Sequence, residues 1–233
     1  MPVLADADEP AFTEAQVQLQ SIEIEGLSFS YPDSVIKVLH NIQLTMPVKG
    51  LVLIKGISGS GKSTLLKILA GSMTPGEGSL RVNKQDNYWS QRWLQVNSSY
   101  MNQFPFIFDG SLKYNVFPEN ENATIPAYPS FLNKILDKKE DGWQTVLSHN
   151  GKQLSGGERQ LLTMARMMLH PRPVAILDEP TANLDADTVE IILEQIQTMA
   201  KERLVIIASH EDKFDTIATT VLNLNWGEQM PSN

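Results

Sequence analysis

The chain has 233 residues, 42% of them hydrophobic and 20% charged, ordinary proportions for a globular protein long enough to bury a core without staples. It contains no cysteine, which excludes disulfides, thiolate metal sites and cysteine nucleophiles. The net charge is −8 and no Lys/Arg cluster stands out, so nucleic acid is not expected as a partner; no apolar run approaches the roughly 20 residues that span a bilayer.

Residues 1–20 are acidic and polar, with Pro2 and Pro10 but no positive start and no apolar stretch. They read as a linker and not as a signal peptide. Alternation then begins. Ile22–Ile24 and Leu27–Ser30 predict strands, broken by Tyr31-Pro32, and Val38–Met46 predicts another half-buried strand. Leu51–Ile54 is a short continuous apolar run, as expected of a strand covered on both faces. A glycine-rich loop follows, and a helix is expected from Lys62 to Ala70, stopped at Gly71. The stretch from Phe104 to His149 holds Pro105, Pro118, Pro126 and Pro129 and a helical pattern near Phe131–Leu136. It reads as a mostly helical subdomain. Strand patterns return at Val174–Leu177 and Leu204–Ala208. Between them Val189, Ile192, Leu193, Ile196 and Met199 recur at helical spacing within 186–200. Strands alternating with helices predict an α/β fold with a mostly parallel sheet.

Gly56-Ile57-Ser58-Gly59-Ser60-Gly61-Lys62-Ser63 fits the phosphate-loop pattern G-x-x-x-x-G-K-[ST] in its required context, after an apolar strand and at the start of a helix. Glycines let backbone N–H groups turn inward on phosphate oxygens, and a helix start adds unpaired donors and a favourable dipole. Lys62 is expected at the β- and γ-phosphates. Ser63 is expected on Mg²⁺, with Thr64 beside it. Val174–Glu179 supplies the second half of such a site. Asp178 ends an apolar strand, where it is expected to hold the metal through water. Glu179 is placed to orient or activate the attacking water.

Leu154-Ser155-Gly156-Gly157-Glu158-Arg159-Gln160 opens another helix and, read physically, is a second anion site or a plain serine cap. It resembles the LSGGQ signature of ABC (ATP-binding cassette) ATPases and precedes the Asp178-Glu179 strand, as in that family. The other family marks follow in order. Tyr31 resembles the aromatic that stacks on adenine. Gln103 resembles the glutamine of the Q-loop, which reaches the metal and takes part in catalysis. Ala182-Asn183-Leu184-Asp185 is similar to the D-loop, and His210 to the switch histidine. Singly, each also fits a bland reading: a strand-end aromatic, a surface glutamine, a helix cap and a strand-end polar residue.

The resemblance runs from Ile22 to Trp226. It implies a RecA-like ATP-binding core over 21–103 and 171–233, with antiparallel N-terminal strands, and an inserted helical subdomain over 104–170 carrying the signature. It implies ATP and Mg²⁺ as ligands, and head-to-tail pairing with a second such domain. Each ATP would then lie between the phosphate loop of one and Ser155, Gly156 and Gly157 of the other. The stretches Gln103–Leu112 and Thr145–Gln153 resemble exporter-type transporters, which implies a membrane domain as partner, reached through residues 1–20, at the cytoplasmic face of a membrane such as a bacterial inner membrane. Ser148-His149 stands where exporters usually have Gly-Glu, Glu158 where they have glutamine, and Ala182-Asn183 where they have Ser-Ala. Cysteine- and glutathione-exporting relatives are one compatible subgroup. A stand-alone ATPase subunit of a transporter and a non-transport ABC ATPase are the other readings.

Overall fold

In the computed structural model the described residues are 17–224 apart from 33, 35, 119–124 and 126. Most of the acidic lead-in, Pro126 and Trp226 therefore lie outside them.

The first strand, β1 (Ile22–Ser30), carries its buried residues at Ile22 and Ile24 and then at Leu27 and Phe29. The parity changes between them, and a period of two would turn the second pair to solvent. A register shift absorbs the extra residue, with Gly26 at φ 62, a conformation glycine adopts without strain. All four side chains thus stay on one face. β1 pairs antiparallel with β2 (Lys37–Met46), then the chain enters β3 (Gly50–Lys55) and the helix α1 (Lys62–Leu69). The next strand, β4 (Glu77–Val82), returns to the other edge of β1 and completes a three-stranded antiparallel sheet in the order β2-β1-β4.

Helix α2 (Asn87–Asn97) follows, capped by Asp86, whose side chain accepts from the Trp89 N–H at 2.8 Å. Its apolar residues are few, two of them tryptophan, and Trp93 and Leu94 anchor it in the core. β5 (Ser98–Met101) leads to a region of short elements: β6 (Gly110–Ser111), α3 (Leu112–Val116), α4 (Asn133–Leu136) and β7 (Val146–Leu147). The chain finishes with α5 (Gly156–Leu169), β8 (Val174–Asp178), α6 (Ala186–Glu202), β9 (Leu204–Ala208) and β10 (Thr220–Asn223).

β10, β3, β9, β8 and β5 form one parallel sheet in that order. The fold is α/β, with the antiparallel strands as a separate sheet. Alternation along β3 explains the layering. Leu51 and Leu53 join a cluster with α5 and α6, whereas Val52 and Ile54 join a cluster with α1, α2 and the antiparallel sheet. Ile107, Phe117, Phe131 and Leu147, from the region of short elements, belong to the first cluster. On α6 the expected stripe is present, with Ile192, Ile196 and Met199 buried and Val189 and Leu193 half-buried. Among the described residues no helix is long and apolar enough to cross a membrane.

Parallel strands aim their carboxyl ends the same way. β3, β8 and β9 are adjacent, so the residues that follow each of them meet at one end of the sheet.

Candidate active site

The loop after β3 is held by its own backbone. Gly59 and Gly61 take φ 83 and φ 94, and the Ser60 N–H closes a turn on the Ile57 carbonyl at 3.2 Å. Gly61 precedes α1 without any side-chain cap, so the first-turn N–H groups have no side-chain acceptor there. Gly56 is needed for close approach: a Cβ there would lie 2.7 Å from the Leu224 carbonyl oxygen and 2.4 Å from Ser60 Oγ. Ser60 is buried, and its hydroxyl has no hydrogen-bond partner.

Lys62 is also buried. Its ammonium donates to the Gly56 and Ile57 carbonyls at 2.7 and 3.1 Å and faces Glu179 Oε1 at 3.6 Å. These carbonyls and the carboxylate hold the ammonium at the loop. Tyr31 stands half-exposed at the rim. Its ring meets Phe29 edge-on at 5.1 Å, and its hydroxyl shares a 2.9 Å hydrogen bond with Thr64 Oγ1.

β8 brings Asp178 and Glu179 opposite the loop. Burial pushes the Asp178 pKa up, as does the neighbouring Glu179 charge, while hydrogen bonds from Ser63 and Tyr100 and the Lys62 charge act the other way. Tyr100 donates to Asp178 Oδ2 at 3.4 Å, and burial, followed by the Asp178 charge, raises its own pKa strongly. Glu179 leaves the strand in a left-handed conformation at φ 46, with its N–H on the Ala208 carbonyl at 2.9 Å. The carboxylate accepts from Ser209 Oγ at 3.2 Å and meets His210 Nδ1 at 3.1 and 3.2 Å through its two oxygens.

These residues border one cleft of about 650 Å³, which takes in Tyr31, Ser58, Gly59, Gly61, Lys62, Ser63, Thr64, Gln103, Asp178, Glu179 and His210. Gln103 is exposed, and its carbonyl accepts from Gln160 Nε2 on α5 at 3.1 Å. Gly56 and Ser60 support the loop from behind. Ser155, Gly156, Gly157 and Asp185 do not border the cleft. Gly157 lies beside the start of α6 instead. A Cβ on Gly157 would lie 3.3 Å from Thr188 and 3.6 Å from Asp185 Oδ2. Asp185 caps α6 through the Thr188 N–H and hydroxyl, at 2.9 and 2.8 Å. Ser155 caps α5, and Glu158 completes a reciprocal capping box. The Lys138 ammonium pairs with Glu158 at 3.0 Å.

The donor set suits a hard, oxygen-seeking cation shared with a substrate. Ser63 and Asp178 are hydrogen-bonded to each other, and no cluster of three His, Cys, Asp or Glu exists among the described residues. One hydroxyl and one carboxylate, with substrate oxygens and water completing the shell, is the pattern of Mg²⁺ at phosphates.

Sequence reading alone missed Tyr100, Thr181, Ser209 and Glu211. Only Ser209 left a trace, as a polar residue closing an apolar strand beside His210. Tyr100 reaches Asp178 because β5 and β8 are neighbours, which no local pattern reveals.

A phosphate loop on a parallel sheet, with a carboxylate pair at the end of another strand of that sheet, defines the class of P-loop nucleotide-binding ATPases. The family profile described as "ABC transporter" matches residues 39–182, and the chain belongs to that family, whose ATPase domains hydrolyse ATP to drive transport. It is 30% identical over 239 residues to a "Probable ABC transporter ATP-binding/permease protein" of Haemophilus influenzae, covering 97% of this chain and 42% of that protein. It is 33% identical over 214 residues to the "Glutathione/L-cysteine transport system ATP-binding/permease protein CydC" of Bacillus subtilis, covering 87% of this chain and 36% of the other. Among solved structures it resembles a bacterial Atm1-family ABC exporter with ATP bound, with a TM-score of 0.76 at 25% identity, over 88% of this chain and 37% of that one. The chain thus spans less than half the length of these relatives.

Proposed function

We propose that this chain is the ATP-hydrolysing motor domain of an exporter-like ABC transporter. The observation that carries the reading is the setting of Glu179, a buried carboxylate between the Lys62 ammonium and the His210 ring at the mouth of the phosphate loop. In this reading the ATP phosphates lie on the N–H groups of residues 58–64, and Lys62 exchanges the Gly56 and Ile57 carbonyls for the β- and γ-phosphates. Tyr31 stacks on the adenine ring. Ser63, Asp178 and Gln103 would hold Mg²⁺, which would supply neutralisation of phosphate charge. Glu179 accepts a hydrogen bond from the attacking water, orients it towards the terminal phosphate and takes up its proton. His210 keeps the carboxylate facing the cleft.

Ser155, Gly156 and Gly157, with Asp185 beside them, form a separate surface that completes the ATP site of a second, similar domain in a head-to-tail pair. ATP then favours the closed pair because only that state uses both surfaces, and hydrolysis reopens it. The relatives named ATP-binding/permease proteins motivate a membrane domain preceding this one and a place at the cytoplasmic face of a membrane, such as a bacterial inner membrane. Residues 1–20 would connect to it, and 104–170 would act as the subdomain that carries the signature against the core formed by 21–103 and 171–233.

The test is Glu179→Gln. This variant should bind ATP and form ATP-dependent dimers on a sizing column while turnover falls at least about 100-fold, the scale of a lost general base. Unchanged turnover would remove Glu179 from this role.

A further inference from the structure

We propose that Ser209 and Glu211, on either side of His210, are positioning residues for hydrolysis, with Ser209 aiming the Glu179 carboxylate and Glu211 fixing the turn that Glu179 begins. The proposal rests on the reading of Glu179 given above.

The direction of the hydrogen bonds carries the Ser209 assignment. Ser209 is fully buried, and its N–H is fixed on the Ile54 carbonyl of β3 at 3.1 Å. The Glu211 N–H donates to Ser209 Oγ at 3.1 Å, which occupies one of the hydroxyl's lone pairs. A serine hydroxyl has one proton, and an ionised carboxylate only accepts. The proton therefore points at Glu179 Oε2, 3.2 Å away. Oε2 is tethered to the rigid end of β9, while Oε1 meets the His210 ring at 3.1 Å and faces Lys62 at 3.6 Å. In the reading above, Oε1 is the oxygen turned towards the water. A base must lie within hydrogen-bond reach of the proton it takes, so fixing one carboxylate oxygen fixes the reach of the other.

Glu211 acts one step further out. Thr181 is buried, and its hydroxyl needs an acceptor; it donates to Glu211 Oε2. The other oxygen, Oε1, is paired with Lys213 at 2.8 Å. Thr181 belongs to the turn closed by the Ala182 N–H on the Glu179 carbonyl at 3.2 Å. That turn starts with Glu179 in the left-handed region, which persists only where neighbours hold it. The segment bearing Glu211 is itself moored to the root of the phosphate loop, because Lys55, the residue before Gly56, pairs with Asp212 and Asp215 at 2.8 Å each. Three strand ends, after β3, β8 and β9, are thereby tied through the residues around His210.

The experiment measures steady-state ATP hydrolysis and ATP affinity for Ser209→Ala, Ser209→Thr, Thr181→Val, Glu211→Ala and Glu211→Gln, each alone, the first also with Glu179→Gln, and Thr181→Val also with Glu211→Ala. Ser209→Ala should lower kcat about tenfold, the scale of one hydrogen bond to a charged group, with KM and ATP affinity unchanged. Ser209→Thr, which keeps the hydroxyl, should restore most of the loss. Ser209→Ala should add nothing once Glu179 is already glutamine. Glu211→Ala and Thr181→Val should each lower kcat a few-fold and together no further, since they remove one contact. Glu211→Gln, whose amide oxygen still accepts, should stay near wild type. Wild-type kcat in Ser209→Ala, or a loss of ATP affinity matching the loss of turnover, would overturn the Ser209 assignment. Full additivity of Thr181→Val and Glu211→Ala would overturn that of Glu211. Wild-type turnover in Glu179→Gln would instead strike the underlying reading, and that variant measured alone separates the two failures.

Discussion

The phosphate loop and the signature helix both present the start of a helix, yet they are built in opposite ways. At the loop, α1 begins with Gly61 and no side-chain cap, and the nearby charges, Lys62 and Glu179, are buried and turned towards one cleft. At the signature, Ser155 Oγ accepts from the Glu158 N–H and the Glu158 carboxylate accepts from the Ser155 N–H, so the start of α5 is capped by its own side chains, and Gly156 has open space where a side chain would be. The first region lines one wall of the cleft. The second is stable by itself and exposed. The difference teaches that one helix start is shaped by backbone and glycine around a cleft, whereas the other is closed by its own side-chain cap.

The largest test of this contrast is Lys62→Ala. It removes the ammonium that, among the described residues, borders the cleft, and should weaken ATP binding about 10- to 100-fold, by the usual worth of a charge-assisted contact. Calorimetry showing full affinity would place the phosphates elsewhere. His210→Ala should come next, with turnover reduced about tenfold and ATP affinity kept, because the ring touches Glu179 and not the loop. Wild-type turnover would make the ring a passive neighbour.

Ser155→Ala should cost about 1 kcal/mol of stability through the lost cap, read as a lower melting temperature. It should leave ATP affinity of the single chain unchanged, because Ser155 lies outside the cleft. ATP-dependent pairing in the Glu179→Gln background should weaken. If a single chain loses ATP affinity with Ser155→Ala, the two regions are one site after all.

The smallest effect is electrostatic. Burial opposes ionisation of Glu158, but the Ser155 N–H and Lys138 outweigh it and hold its pKa below 4.5. A depressed carboxylate contributes stability above its unfolded pKa and loses it as pH falls through the lower folded value. Glu158→Gln keeps the capping geometry, so its deficit in melting temperature should be slight at neutral pH and vanish below the ordinary carboxylate range. A deficit that persists in acid would assign the effect to packing.

Much of this molecule was legible in one dimension because its chemistry is written in contiguous residues. Gly56–Ser63 states both the turn and its ligand, and Val174–Glu179 states a covered strand and its terminal charges. β1 was legible too, though the bulge at Gly26 that reconciles Ile24 with Leu27 was not. Helix α2 escaped because its place depends on the core that receives Trp93. Thr181 and Glu211 escaped because 30 residues separate them and they meet only where two strands end side by side.

The local sequence by itself determined the chemistry on offer: a phosphate-holding loop, a carboxylate pair, a capped glycine-rich helix and a histidine after a strand. Such features follow from backbone freedom and side-chain type, which are local properties. Tertiary structure alone decided their company. Parallel pairing of β3, β9 and β8 put Lys62, Glu179 and His210 in one cleft, left Ser155–Gly157 beside Asp185 outside it, and gave Glu179 its anchor in Ser209. Those choices depend on which strands are neighbours, and that is settled by burying both faces of the sheet at once.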